Sequence, residues 1–525
     1  MNAAALLVAA LVLAVCPVAA SSALRSPASS ALPSAPLGRR QQDRRRRVVP
    51  VPTAAADTTV NTVTAAAAPA AKSLHHHQKM PLLTLVINIV ADLCPHGMLP
   101  LAYGIAQGGP TGVVPAVALV GVFGFLSAYT MTVFAKLADQ TGSNSISELW
   151  GKLLSEKTRW VADASVFSLC FGCCVFYSAF AGDIFGALTS AAGLTGPLGK
   201  RWAALGAVTA GCLLPLCLLE DISSLQFSSV LGVGGILYTV LFHVLRVSDG
   251  TYAVAGGALA KLLPTKALPS WPSPKFSLWS VNKGTLILVN MLCVAFLAHY
   301  NAINYYKELD RPSEQRYKVA IAAGFGTSFA VFVTMMLLGY TLFGTTAQPL
   351  ILNNFHRTQD VLATGARFAT GLAITFAYPL MFAGLKSSMF SLIDAAAGSG
   401  SKSGSKSVAR NGRHSKDKVA APGASKQVKQ AAVVAALSVI TAIAFKCSEE
   451  DVSVVLGLVG SVLGCGVAYV LPGVLNLVHM RARKQGGLRN APADVVLSHV
   501  LVALGTVFGA LGVRETLASA AHPHH

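Results

Sequence analysis

The feature that most restricts this chain is a series of eleven hydrophobic runs between Leu82 and Val513, parted by short polar joints. They cover approximately 82–103, 113–135, 160–190, 202–218, 225–246, 284–304, 319–343, 361–390, 431–446, 453–478 and 495–513. Each is near the ~20 residues that cross ~30 Å of hydrocarbon. Backbone groups cannot stay unpaired in lipid, so such runs are helices. They are continuous rather than alternating, which excludes a β-barrel. Only 12% of the residues are charged, against about 25% in a soluble domain. The sequence therefore predicts an all-α polytopic membrane protein with about eleven transmembrane helices, whose first partner is the lipid bilayer.

The net charge of +19 is a matter of topology, not of a nucleic-acid surface. Residues 1–80 carry nine Lys/Arg, and 395–430 carry eight. The joints at 136–160, 219–224, 305–318, 391–430 and 479–494 hold 20 Lys/Arg; the opposite joints and the end after 513 hold 8. The positive-inside rule places the richer set, with the residues just before Pro81, on the inner side. Residues 1–20 read as a signal-like segment, apolar from Ala3 to Cys16 and followed by Val18-Ala19-Ala20. Residues 21–80 are rich in Ser, Ala, Pro and Arg with Asp43 and Asp57 as their only acids, a disordered, transit-like composition. Such a two-part leader points to a plastid inner envelope, with a vacuolar or plasma membrane as the alternatives. Residues 395–430 read as a flexible basic loop, 81–515 as the transmembrane domain and 516–525 as a disordered tail.

Of the ten cysteines, eight lie inside apolar runs and suit packing. Cys170, Cys173 and Cys174 lack a second pair or a nearby His, and the terminal His75-His76-His77 and His524-His525 tracts are incidental. No metal and no cofactor is expected.

Chemistry concentrates in the first run, Asn88-Ile-Val-Ala-Asp92-Leu-Cys-Pro95-His96-Gly97-Met98-Leu99-Pro100. An intramembrane Asp costs at least ~2.5–3.5 kcal/mol at mid-bilayer, so it faces a cavity or a partner. Asn88, Asp92 and His96 are spaced i, i+4, i+8 and share a helical face. Pro95 removes a donor, and the helix is expected to break within 94–98. A break exposes amides at Gly97, Met98 and Leu99 to an anion such as a carboxylate. Asp92 and His96 are candidates to carry a coupling proton, with closure expected when the proton is aboard. His299, in the sixth run, either accepts a proton or is a satisfied interhelical donor.

Gly97-Met98-Leu99, Leu101, Tyr103, Ala106-Gln107 and Gly109 resemble the opening motif of the amino acid/auxin permease family. The likeness runs on through Phe171-Gly-Cys-Cys-Val-Phe-Tyr177, Phe296-Leu-Ala-His299-Tyr300-Asn301, Tyr306-Lys-Glu308-Leu309, Gly339-Tyr340, Arg367, Thr375, Pro379, Lys386 and Leu471-Pro472. It implies a LeuT-like fold of two inverted five-helix repeats plus one helix. It also implies symport of amino acids held at broken first and sixth helices. His96, Gly97, Met98, Leu99, Phe296 and Asn301 would then bind substrate; Asp92, His96 and His299 would couple protons; Asn88 and Thr375 would form any ion site. The chain departs from the family at Pro95, Ala91, Ala102 and Ala377, which weakens sodium coupling, while Asp92 and His96 favour a proton. The sixth run has neither Gly nor Pro, so its break is not visible.

The leading reading is a proton-coupled amino acid symporter with neutral amino acids as its substrate class. A sodium-coupled symporter and a transporter-like amino acid sensor are the alternatives. An intramembrane enzyme is disfavoured, because no Gly-x-Ser-Gly, HExxH or Gly-x-Gly-Asp motif is present. Oligomeric state is not legible.

Overall fold

A computed structural model describes residues 79–521 except 108–109, 220–225, 254–256, 264–276, 401–424 and 486–490. The signal-like segment, the leader up to residue 78, both His tracts, Gly109 and the centre of the basic loop lie outside the described residues.

The chain forms sixteen α-helices among the described residues. The first run is divided into α1 (Leu82–Gly97) and α2 (Leu101–Ala106). Then come α3 (Val113–Thr141), the short α4 (Ile146–Leu153) and α5 (Arg159–Ala191). The fourth run comprises α6 (Arg201–Val208), a π-helical turn and α7 (Leu214–Leu218); α8 (Gln226–Ser248) is the fifth. The sixth is divided again, into α9 (Thr285–Ala295) and α10 (Ala302–Glu308). The rest are α11 (Glu314–Phe343), α12 (Val361–Gly400), α13 (Lys426–Lys446), α14 (Glu449–Leu458), α15 (Leu471–Gln485) and α16 (Pro492–Ala521). Two π-helical stretches join α14 to α15. Ten segments are long and apolar enough to cross a membrane, and α1 is a shorter apolar helix.

Local chemistry sets the ends. Ser313 accepts from the Arg316 N–H at the start of α11, and Ser448 with Asp451 forms a capping box on α14. Gly142, at φ 62°, closes α3 in the left-handed conformation that suits glycine. Three ends differ from expectation. α12 continues to Gly400 and α13 begins at Lys426, so helix occupies both margins of the expected basic loop. α16 runs through to Ala521, because Leu517, Ala518, Ala520 and Ala521 are good helix formers.

Burial sorts the helices into an inner and an outer set. The most apolar windows of the third, sixth, eighth and tenth crossings are 83%, 89%, 72% and 83% buried inside the protein. Those of the other crossings are 22–44% buried, and their exposed Val, Leu and Phe side chains suit lipid. α1 joins the inner set, buried continuously from Asn88 to Gly97. α5 packs along α12, α12 along α8, and α11 against α1 and α3. Two interrupted helices thus stand at the centre of a helical sleeve, one opening each half of the chain.

The first interruption falls at Met98–Pro100, later than the expected 94–98. Pro95 lies inside α1, and the Met98 N–H still donates to the Cys94 carbonyl at 3.1 Å. Pro100 ends the helix, because a proline pushes the preceding residue out of the α region. Gly97 serves packing instead: a Cβ there would strike the Phe332 ring and lie 3.0 Å from the Ala295 carbonyl.

Candidate functional site

The two broken helices are tied to each other at three levels. At the lysine- and arginine-rich face, Met80 bridges the chain after α10: its N–H donates to the Glu308 carbonyl at 2.7 Å, and Asp310 N–H donates to the Met80 carbonyl at 2.8 Å. At the opposite face, the N–H groups of Gly112, Val113 and Val114 donate to carbonyls of Ser280, Ser277 and Leu278 at 2.8–3.1 Å. The middle level carries the titratable groups.

Asp92 is fully buried, and three donors converge on its carboxyl group. Tyr300 donates to Oδ1 at 2.6 Å, Tyr305 to Oδ2 at 2.8 Å, and Asn301 Nδ2 to Oδ2 at 3.4 Å. All three belong to the segment that follows the second break. Asn301 Nδ2 also donates to the Leu380 carbonyl at 3.1 Å, bringing α12 into the same centre. No cation pairs with Asp92 among the described residues. Taking a carboxylate out of water costs several kcal/mol, and each hydrogen bond to a charged acceptor returns ~1.5–3 kcal/mol. The two effects are of the same order, so the three donors offset much of the cost of burying this carboxyl group.

His96, one turn on, bridges differently. Its Nε2 lies 3.0 Å from the Val294 carbonyl and its Nδ1 lies 2.6 Å from the Tyr177 hydroxyl. A carbonyl only accepts, so Nε2 carries the hydrogen and Nδ1 accepts from Tyr177. The Val294 carbonyl would, in a continuous helix, accept from the Ala298 N–H. It accepts instead from His96 and, at 3.1 Å, from the Leu297 N–H. The helix unwinds at Phe296–Ala298 and returns as a 3-10 turn at His299–Asn301 before α10. This is the break that no Gly or Pro announces.

The other predicted residues lie as follows. Met98 and Leu99 are buried at the first interruption. The Met98 amide is already used, while the Leu99 amide has no bond among the described residues. Phe296 sits at the second interruption, stacked on Phe325 and edge-on to Phe332 with centroids 5.9 and 4.9 Å apart. His299 turns elsewhere: its Nε2 is 2.7 Å from the Thr130 hydroxyl, and its Nδ1 has no partner among the described residues. Thr130 can donate to the Leu126 or Ser127 carbonyl and so accepts from His299, the interhelical donor arrangement. Asn88 Nδ2 donates to Met80 Sδ at 3.2 Å, and Thr375 donates back to the Gly371 carbonyl of its own helix at 2.7 Å. The structure shows no hydrogen bond joining Asn88 to Thr375.

Sequence reasoning missed the phenols. Tyr177, Tyr300 and Tyr305 hold His96 and Asp92, and the available signal was three tyrosines deep in apolar runs. It also missed a buried ion pair. Arg246, at the end of α8, donates to Asp360 through Nε at 3.0 Å and Nη2 at 2.5 Å, and Tyr252 adds a bond at 2.8 Å. Asp183, near the end of α5, is likewise paired with Arg201.

Two interrupted helices that face one another, joined through buried carboxyl, imidazole and phenol groups, define a polytopic membrane protein of the LeuT-like fold. The chain belongs to the family described as transmembrane amino acid transporter protein, which matches residues 79–516. Its members are transporters and not enzymes. Among relatives, vacuolar amino acid transporter 7 of Saccharomyces cerevisiae is 24% identical over 297 residues, 56% of each chain. Amino acid transporter AVT6A of Arabidopsis thaliana is 23% identical over 314 residues, 57% of this chain and 64% of the relative. The chain thus matches less than two thirds of the length of these relatives. The crystal structure of MhsT in complex with L-phenylalanine has the same fold, with a TM-score of 0.50 over 83% of this chain and 98% of that one at 12% identity.

Proposed function

We propose that this protein is a secondary active transporter that moves neutral amino acids with a proton by alternating access. The observation that carries the reading is the hydrogen-bonded carboxyl group of Asp92, which joins the two broken helices with no cation paired to it among the described residues. Gaining a proton obliges one phenol to change from donor to acceptor, which weakens the tie by about one charge-assisted bond. Movement of α1 against α10 and movement of a proton are then one event. The substrate lies between the two interruptions, its carboxylate at the Leu99 amide and its side chain against Phe296. His96 positions both interruptions through Val294.

Support for the substrate class comes from the family and from the amino acid transporters among its relatives. Sodium coupling is the alternative reading: the Asn88 side-chain oxygen has no partner among the described residues, while the Thr375 hydroxyl donates to the Gly371 carbonyl of its own helix. The test is uptake by purified protein in liposomes, with an imposed pH gradient or sodium gradient alone. Accumulation driven only by sodium would overturn the coupling, and no uptake of any amino acid would overturn the transporter reading. The yeast relative is vacuolar by name, whereas the acid-poor leader points to a plastid; a fluorescent fusion to residues 1–80 distinguishes the two.

A further inference from the structure

Away from the broken helices, a cavity of 220 Å³ opens between α3, α15 and α16, lined by Lys136, Asn476, His479, Arg483 and Asp494 among others. We propose that this cavity binds a phosphate group, supplied by the headgroup of an anionic lipid. Two cations, Lys136 and Arg483, meet one carboxylate there. Asp494 is already engaged: Lys136 Nζ lies 3.2 Å from Oδ2, and Tyr129 donates to Oδ1 at 3.4 Å. Arg483 is half-buried and forms no ion pair among the described residues.

The second, independent observation is His479. It is 9% exposed, its Nε2 lies 2.8 Å from Gln140 Oε1, and its Nδ1 has no partner among the described residues. Arg483 and Lys136 line the same cavity as this ring. A buried ring nitrogen beside two cations is poorly served by another cation or an apolar group. A tetrahedral anion with several acceptor oxygens would serve both cations, since guanidinium binds phosphate through parallel N–H bonds, and its negative charge would favour the protonated ring, whose Nδ1–H is then a donor.

The depth of the cavity identifies the source. Lys136 is in the last two turns of α3, Arg483 in the last turn of α15 and Asp494 in the first turn of α16. All three ends belong to the lysine- and arginine-rich face, at headgroup level. Basic pockets between membrane helices on that side take anionic headgroups.

The full-length protein in detergent, probed by native mass spectrometry, tests this. Expected is retention of phosphatidic acid at least about tenfold above phosphatidylcholine, with inorganic phosphate competing. Arg483→Gln should abolish the preference, and Arg483→Lys, which keeps charge without the fork, should restore part of it. Lys484→Gln, an exposed neighbour, should leave it intact. Binding of inorganic phosphate without phosphatidic acid would overturn the lipid source while keeping the phosphate site. No preference for either probe, or equal loss in Arg483→Gln and Lys484→Gln, would overturn the site. An Arg483→Gln protein whose melting temperature collapses leaves the decision to Arg483→Lys and to the wild-type competition.

Discussion

Asp92→Asn tests the coupling proposal most directly, because it keeps side-chain size while removing both the charge and the exchangeable proton. In the native centre, Tyr300 and Tyr305 donate to different oxygens of Asp92 at 2.6 and 2.8 Å. Asparagine retains one acceptor oxygen. The bond to it falls from a charge-assisted ~1.5–3 kcal/mol to a neutral ~0.5–1.5 kcal/mol, and the second phenol must turn to accept from the new NH2 group. The tie between the broken helices weakens by about 2 kcal/mol, roughly thirtyfold in the equilibrium between closed and open forms. Binding and exchange should persist, since no residue proposed to touch substrate is altered. Coupling should not. One pH unit stores about 1.36 kcal/mol, so one proton per neutral amino acid sustains about tenfold accumulation. Proteoliposomes loaded at one pH, diluted into buffer one unit lower and given radiolabelled amino acid should reach that ratio with wild-type protein. The Asp92→Asn protein should stop near equal concentrations, while still exchanging labelled for unlabelled substrate. Uphill accumulation by Asp92→Asn with protons as the only gradient would refute the argument, leaving Asp92 a structural hydrogen-bonding residue.

Other outcomes follow from the packing. Asp360→Asn strips Arg246 of its buried partner and should lower stability by about 3 kcal/mol, read as a melting-temperature drop in detergent; Asp249→Asn, whose side chain is 38% exposed, should cost under ~1 kcal/mol. Gly97→Ala drives a methyl group into the Phe332 ring and should cost about 1–3 kcal/mol, with partial recovery of melting temperature in the Phe332→Leu background. Cys293 and Cys465 place their sulfurs 3.4 Å apart, so diamide should yield a linked peptide by mass spectrometry that Cys465→Ala removes.

What could be read from the residues, and what could not, divides along physical lines. The crossings were legible because lipid demands ~20 apolar residues per helix, and no other element meets that demand here. The first interruption was legible because prolines act locally, although Pro95 drew attention from Pro100, which acts through Leu99. Asn88, Asp92 and His96 were placed on one face by spacing alone. That spacing could not say that Asn88 would spend its amide on Met80 while the other two reached the sixth crossing. Partners 81 to 213 residues away in sequence, such as Tyr177 and Tyr305, are set by packing between helices and leave no local trace. Arg246 and Asp360 illustrate the same limit, since each alone reads as an ordinary charge at a helix end.

The second interruption bears on how the protein is made. Taken alone, residues 285–308 are an apolar segment of mean hydropathy 1.9 with no residue that bends a helix, and the insertion machinery receives them as an ordinary straight crossing. The bond that opens this helix comes from His96, 198 positions earlier, on a crossing that has already entered the membrane. If that bond is what holds the helix open, the second half of the chain would leave synthesis with this crossing straight and acquire its interruption only on docking against the first. Expressed separately, that half would be a set of intact helices with nowhere to hold a substrate. Co-expression of the two halves would then restore more than proximity: it would cut the helix.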